Sequence, residues 1–163
     1  MSARSTISPR HRVRNRVFAF LHRVGVPVGP TYLLTVPGRK SGLPRTTPVA
    51  PVVVDGVRYV LQAYPNSDWA KNARAARHGV LTRGRRSQAV DLVEIPEAQR
   101  ASILREFPRQ NPRGVRAFVR NGLVESPSPE SFAAAAPRCT LFRATPRTTS
   151  AGSSDPKDVR AGE

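Results

Sequence analysis

The chain has 163 residues, of which 39% are hydrophobic, and carries a formal net charge of +16. That length suits one domain with its own core, and its longest apolar run, Val49–Val54, is interrupted by Pro51 and falls far short of the ~20 residues of a membrane-crossing helix. Residues 1–90 hold sixteen basic and two acidic side chains and residues 91–163 hold eleven and nine, so the positive field belongs to the N-terminal half and attracts anions.

Residues 1–10 read as a disordered basic leader, and Val17–Leu21 is too short for the apolar region of a secretory signal, so a cytoplasmic location is expected. Over residues 11–24, Val13, Val17, Phe20, Leu21 and Val24 share a helical face, and Gly25 and Pro27 end the segment. This basic amphipathic helix opens a single domain over 11–145. Its apolar face packs on that domain or makes a peripheral contact with an anionic membrane.

A β-rich block follows. Tyr32–Val36 reads as a strand, Gly38–Pro44 as a turn-rich connector, and Arg45–Val54 as a strand whose Pro48 and Pro51 imply edge pairing. Asp55-Gly56 marks a two-residue hairpin into Val57–Ala63, which completes a β-meander. Ser67 or Asp68 caps a helix with its body at Trp69–Arg77 and its stop at Gly79. A second hairpin joins Val80–Arg83 to Ser87–Ile95. Pro96 opens a helix to about Phe107, Asn111-Pro112 a shorter one ended by Asn121-Gly122, and Pro129–Ala136 a last one. Thr140–Arg143 reads as a closing strand and 146–163 as a disordered tail. Many short hairpin-linked strands with few helices argue for a mainly β fold with peripheral α, an antiparallel barrel.

Two segments carry chemistry. In Thr35–Val49, Gly38 and Gly42 bracket Arg39, Lys40 and Ser41, with Arg45 just beyond. Such glycines let a turn present successive amides as a nest for an anion, which the cations and hydroxyl strengthen; the other reading on the residues alone is a solvated basic hairpin. Neither the Walker order nor G-x-G-x-x-G is present. In Arg58–Gly79, a strand and short loop feed a helix N-terminus, an anion-attracting position. Trp69 and Asn72 lie three apart and share a helix face. Trp69 offers either a wall for a planar cofactor or core packing, and Asn72 a hydrogen bond either to a ligand or to backbone as a helix–loop tie. His11, His22 and His78 lack metal-ligand spacing and Cys139 stands alone, so no metal site and no internal disulfide are expected. The cysteine itself reads as a small semi-buried hydrophobe.

The ordered set "GRKSG", "PRTTP", "DG.RYVL", "DWAKNARAA" and "RGRR", from about Tyr32 to Leu92, resembles the deazaflavin-dependent nitroreductase family of actinobacteria, also called coenzyme F420-dependent quinone reductases. Weaker similarity runs on to about Arg143. The resemblance implies a split β-barrel like that of the flavin-mononucleotide-binding reductases. It implies coenzyme F420 as cofactor, with flavin mononucleotide ranked behind it. The phosphate and oligoglutamate tail would be held by Gly38, Arg39, Lys40, Ser41, Gly42 and Arg45. The ring would be lined by Thr46, Thr47, Pro48, Val49, Ala63 and Tyr64, with Trp69 and Asn72 as the W-x-x-N pair. Nitroreductase-type members carry tyrosines in the C-terminal part of the substrate pocket. Here residues 65–163 have none and offer Phe107, Phe118 and Phe132 instead.

The implied activity is hydride transfer between reduced F420 and a small hydrophobic acceptor, a quinone, enone or nitro compound, with Tyr64 or solvent supplying the proton. Two other readings stand beside it. One is a non-catalytic binder of deazaflavin, flavin or a fatty acyl ligand on the same barrel. The other is a basic nucleic-acid module, against which stand the 6% aromatic content and the lack of any groove-reading motif.

Overall fold

The computed structural model describes residues 31–148. The leader, the helix expected over 11–24 and the tail beyond residue 148 lie outside the described residues. Strands β1 (Tyr32–Pro37), β2 (Pro44–Val49), β3 (Val52–Val54), β4 (Val57–Leu61), β5 (His78–Arg83), β6 (Arg86–Glu94) and β7 (Leu141–Pro146) form one antiparallel sheet. The helices are α1 (Asp68–Ala76), α2 (Glu97–Gln110), α3 (Val115–Arg120) and α4 (Pro129–Ala134). None of them is long and apolar enough to cross a membrane.

The Asp55-Gly56 turn forms as its sequence dictates. Both residues have positive φ, 50° and 75°, which is the backbone of a type I′ turn and matches the twist of β3 and β4. The expected single strand over Arg45–Val54 is instead two. Pro51 donates no ladder bond, and β2 and β3 stand at opposite ends of the order β2-β1-β5-β6-β7-β4-β3. Only Ala50 and Pro51 separate them, a gap of no more than about 11 Å. The sheet therefore curls until its two edges approach, giving a seven-strand half-barrel rather than a meander.

The inner face of the curl holds Leu34, Val36, Val49, Val60, Leu81, Val90, Leu92, Phe142 and Ala144, closed by Ala70 and Ala73 of α1. The outer face of β3, β4 and β7 carries a second core of Leu61, Leu141 and Cys139 with the helical residues Leu104, Phe107, Phe118 and Phe132. Phe107, Phe118 and Phe132 pack on one another with ring centroids 4.8–5.4 Å apart. They are sealed core residues rather than pocket lining.

Two helix ends differ from expectation. α1 stops at Arg77, which takes the left-handed conformation (φ 63°) and donates its N–H to the Ala73 carbonyl. Gly79 lies within β5, where a Cβ would come 2.7 Å from the Thr35 carbonyl oxygen. The residue is glycine because two strand backbones approach there, not because a helix ends. α2 continues past Phe107 to Gln110 with Pro108 inside it.

Candidate functional site

The β1–β2 connection, Gly38–Leu43, closes on itself. The Gly38 N–H donates to the Leu43 carbonyl (2.9 Å), the Gly42 N–H to the Gly38 carbonyl (2.8 Å), and the Leu43 N–H to Ser41 Oγ (3.3 Å). Gly42 has φ 67°. Arg39 ties this turn to α1. Its backbone N–H and its Nη1 both donate to Asn72 Oδ1, at 3.1 and 2.9 Å. Its Nη2 pairs with Asp68 Oδ1 at 3.1 Å.

The nest expected over Gly38–Gly42 is thus smaller than its sequence suggests. The Gly38, Arg39 and Gly42 amides hold the turn together or hold it on the helix. The Lys40 and Ser41 amides have no acceptor among the described residues. Arg39 is neutralised by Asp68, and the exposed Lys40 and Arg45 side chains have no ion-pair partner among the described residues. Asp68 was readable only as a helix cap. It stands 29 residues from Arg39, and no local signal links them.

Asn72 is 5% exposed and serves as the helix–turn tie. Trp69 is partly buried in the inner core, its ring 5.7 Å from that of Phe142. The pair lies on α1 as expected, with Asn72 directed to the turn and Trp69 to the core. On β2 the register sets Arg45, Thr47 and Val49 opposite Val36, Leu34 and Tyr32, on the inner face. Thr46 and Pro48 lie on the other face, and Thr46 Oγ1 shares a 2.7 Å hydrogen bond with Thr35 Oγ1.

The loop before α1 is held by its own ties. The Ala63 carbonyl accepts from Asn121 Nδ2 at 3.0 Å, and the Tyr64 carbonyl accepts from Gln62 Nε2 at 2.6 Å. The Tyr64 side chain is exposed. No hydrogen bond joins this loop to the Gly38 turn among the described residues. Cys139 is fully buried, and its Sγ–H donates to the Gln62 carbonyl at 3.4 Å. Burial pushes its thiol up to about 12, against a partial opposing effect of Arg100, which makes it an inert core residue. Ser67 does not cap α1; its Oγ is buried without a partner.

Chemically, the unpaired groups of the turn are donors and cations: two amides, one ammonium and one guanidinium, with the Asp68 carboxylate taken up by Arg39. That set suits a phosphate or a carboxylated tail. Two surface cavities, of about 370 and 710 Å³, lie elsewhere on the molecule.

Comparison with known proteins fits this architecture. One solved structure, described as a domain-swapped dimer, is 19% identical over 85% of this chain and all of its own, with a TM-score of 0.51. A protein of unknown function from Agrobacterium tumefaciens is 16% identical over 88% of this chain and 59% of its own, with a TM-score of 0.54. An F420-H2 dependent reductase, FDR-A, is 16% identical over 71% of this chain and 94% of its own, at a TM-score of 0.49. At these identities the first two establish a shared fold. A search of curated proteins returns no match. The sequence profile of the F420H2-dependent quinone reductases matches residues 12–119, and the chain belongs to that family.

Proposed function

We propose that the protein transfers a hydride between reduced coenzyme F420 and a small hydrophobic acceptor of the quinone, enone or nitro class. The observation that carries this reading is the clamped turn. Arg39 fastens it to α1 through Asn72 and Asp68, and this leaves the Lys40 and Ser41 amides, the Lys40 ammonium and the Arg45 guanidinium for an anion. In this reading those groups hold the phosphate and acidic tail of the cofactor, on a turn that Gly38 and Gly42 shape. Thr46, Thr47, Pro48 and Val49 on β2, with Ala63 and Tyr64, flank its ring, while Trp69 and Asn72 hold the helix in place.

When bound, the reduced cofactor supplies a hydride, and a quinone becomes a hydroquinone by taking that hydride and one proton. Tyr64 is the residue assigned to deliver the proton, because its phenol is exposed and the Gln62 bond fixes its backbone. No nucleophile of the chain is required. A second reading, a carrier that binds the cofactor without turnover, draws on the sealed Phe107–Phe118–Phe132 cluster, which leaves the C-terminal half without a pocket aromatic.

Titration of the full chain with F420 at low salt, followed by the cofactor's absorbance, tests the assignment. Saturable binding is expected, weakened about tenfold or more in Lys40→Ala, the loss of one charge-assisted contact. Absence of binding rejects the reading. Binding without oxidation of the reduced cofactor by any member of a quinone, enone and nitro panel selects the carrier.

A further inference from the structure

The inner face of the half-barrel is apolar along its middle and turns basic at the end where β1 begins. Side chains two apart on a strand share a face. Arg58 precedes the buried Val60 by two on β4, and Arg83 follows the buried Leu81 by two on β5. Arg86 on β6 lies directly across from Arg83. Three strands thus bring guanidinium groups to one mouth. A like-charge pair directly across a sheet opposes pairing, so this pattern works against stability unless an anion compensates it.

The arginines are also held in place. The guanidinium carbons of Arg58 and Arg83 both lie over the ring of Tyr32, 5.1 and 5.3 Å from its centroid. Arg83 Nη1 donates to the Tyr32 hydroxyl at 3.4 Å and Arg58 Nη1 to Gln88 Oε1 at 3.3 Å, both neutral acceptors. Among the described residues these arginines enter no ion pair. With Arg85 and Ser87 they line a cavity of about 710 Å³, in the size range of small-ligand sites. Among the described residues no carboxylate lines it.

We infer that this barrel mouth binds a small organic polyanion, a molecule carrying at least two phosphate or carboxylate groups. Planar guanidiniums grip such groups bidentately, and stacking on Tyr32 pre-orients two of them. The tyrosine ring and Leu81 offer an apolar floor for the organic part. The site is separate from the Gly38 turn. β1 runs between them, and its six residues place them roughly 16 Å apart at ~3.3 Å per residue. Because the surface is concave and its described lining residues include one aromatic ring, it fits a small ligand better than a nucleic-acid strand, which needs successive stacking platforms.

Calorimetry on the full chain in ~20 mM salt, where surface charges are weakly screened, tests this with two probes. Inorganic pyrophosphate represents the phosphate source and citrate the carboxylate source. Binding of at least one probe that persists in Lys40→Ala is expected. It should weaken about tenfold or more in Arg58→Gln/Arg83→Gln and in the hairpin variant Arg86→Gln. Lys40→Ala weakens the Gly38 turn, which itself suits phosphate and carboxylate, so the probe binding that survives in Lys40→Ala is the binding assigned to the mouth. The inference is overturned if neither probe binds more tightly than ~1 mM. It is also overturned if the arginine variants, folded by circular dichroism, bind as wild type.

Discussion

Asn72 does more for this fold than a single side chain usually does. Its Oδ1 is the acceptor for both the Arg39 backbone N–H and the Arg39 guanidinium, across 33 residues of sequence. Truncation to alanine leaves a partly buried amide and a cation without that acceptor, at a cost of about 1–3 kcal/mol. We expect Asn72→Ala to lower the urea midpoint accordingly and to loosen the Gly38 turn, so that F420 affinity falls with it. Asn72→Asp keeps an acceptor oxygen beside Arg39 and should retain most of both. If Asn72→Ala matches wild type in both measurements, the clamp is not what holds the turn. The sequence allows Asn72 to be either a ligand contact or a helix–loop tie, and only the identity of its partner is beyond it. That the partner is Arg39 depends on how α1 docks against β1 and β2.

At the scale of elements, local chemistry was readable and pairing was not. Asp55-Gly56 predicts its own turn because positive φ is a property of those two residues. The split of β2 from β3 follows from which strands they pair with, and no window of a few residues contains that information. α1 illustrates the same divide. The sequence places its start to within one residue but assigns its stop to a glycine that belongs to β5, whereas Arg77 takes the left-handed conformation. Arg77→Gly removes that strain and should raise stability by about 0.5–1 kcal/mol, seen as a higher urea midpoint at unchanged slope. Its carbonyl still accepts the Leu92 N–H at 2.8 Å. A second prediction concerns Glu94, which joins three elements: Arg74 of α1 at 2.6 and 2.9 Å, and Arg100 of α2 at 3.4 Å. The Arg74 hydrogen bond holds its carboxyl below the ordinary 4.5. A group depressed in the folded state stabilises above its unfolded pKa, and that contribution fades as pH falls through 4.5 towards the lower folded value. Glu94→Gln should therefore be less stable than wild type at neutral pH, with the difference shrinking below about pH 4.5 in urea titrations. A constant difference across that range would show that the carboxylate charge is irrelevant.

For the whole molecule, the sheet is a wall shared by two cores. The inner core contains Trp69 and the outer core contains Cys139, and the chain has one tryptophan and one cysteine. β4 and β7 give side chains to both, with Val60 and Phe142 facing inward and Leu61 and Leu141 outward. Neither core can come apart without stripping a face of the same two strands, so the described domain should unfold as one cooperative unit. The two residues make this measurable. Tryptophan fluorescence in urea reports the inner core. Brief labelling of the thiol with an aromatic disulfide reports the outer one, because the buried group, pushed up to about 12, reacts only once exposed. Coincident midpoints and equal slopes are expected at pH 8. Thiol exposure at lower urea than the fluorescence change would mean that the layer of α2, α3 and α4 detaches first. The half-barrel, with its clamped turn and its basic mouth, would then be a folding unit of its own.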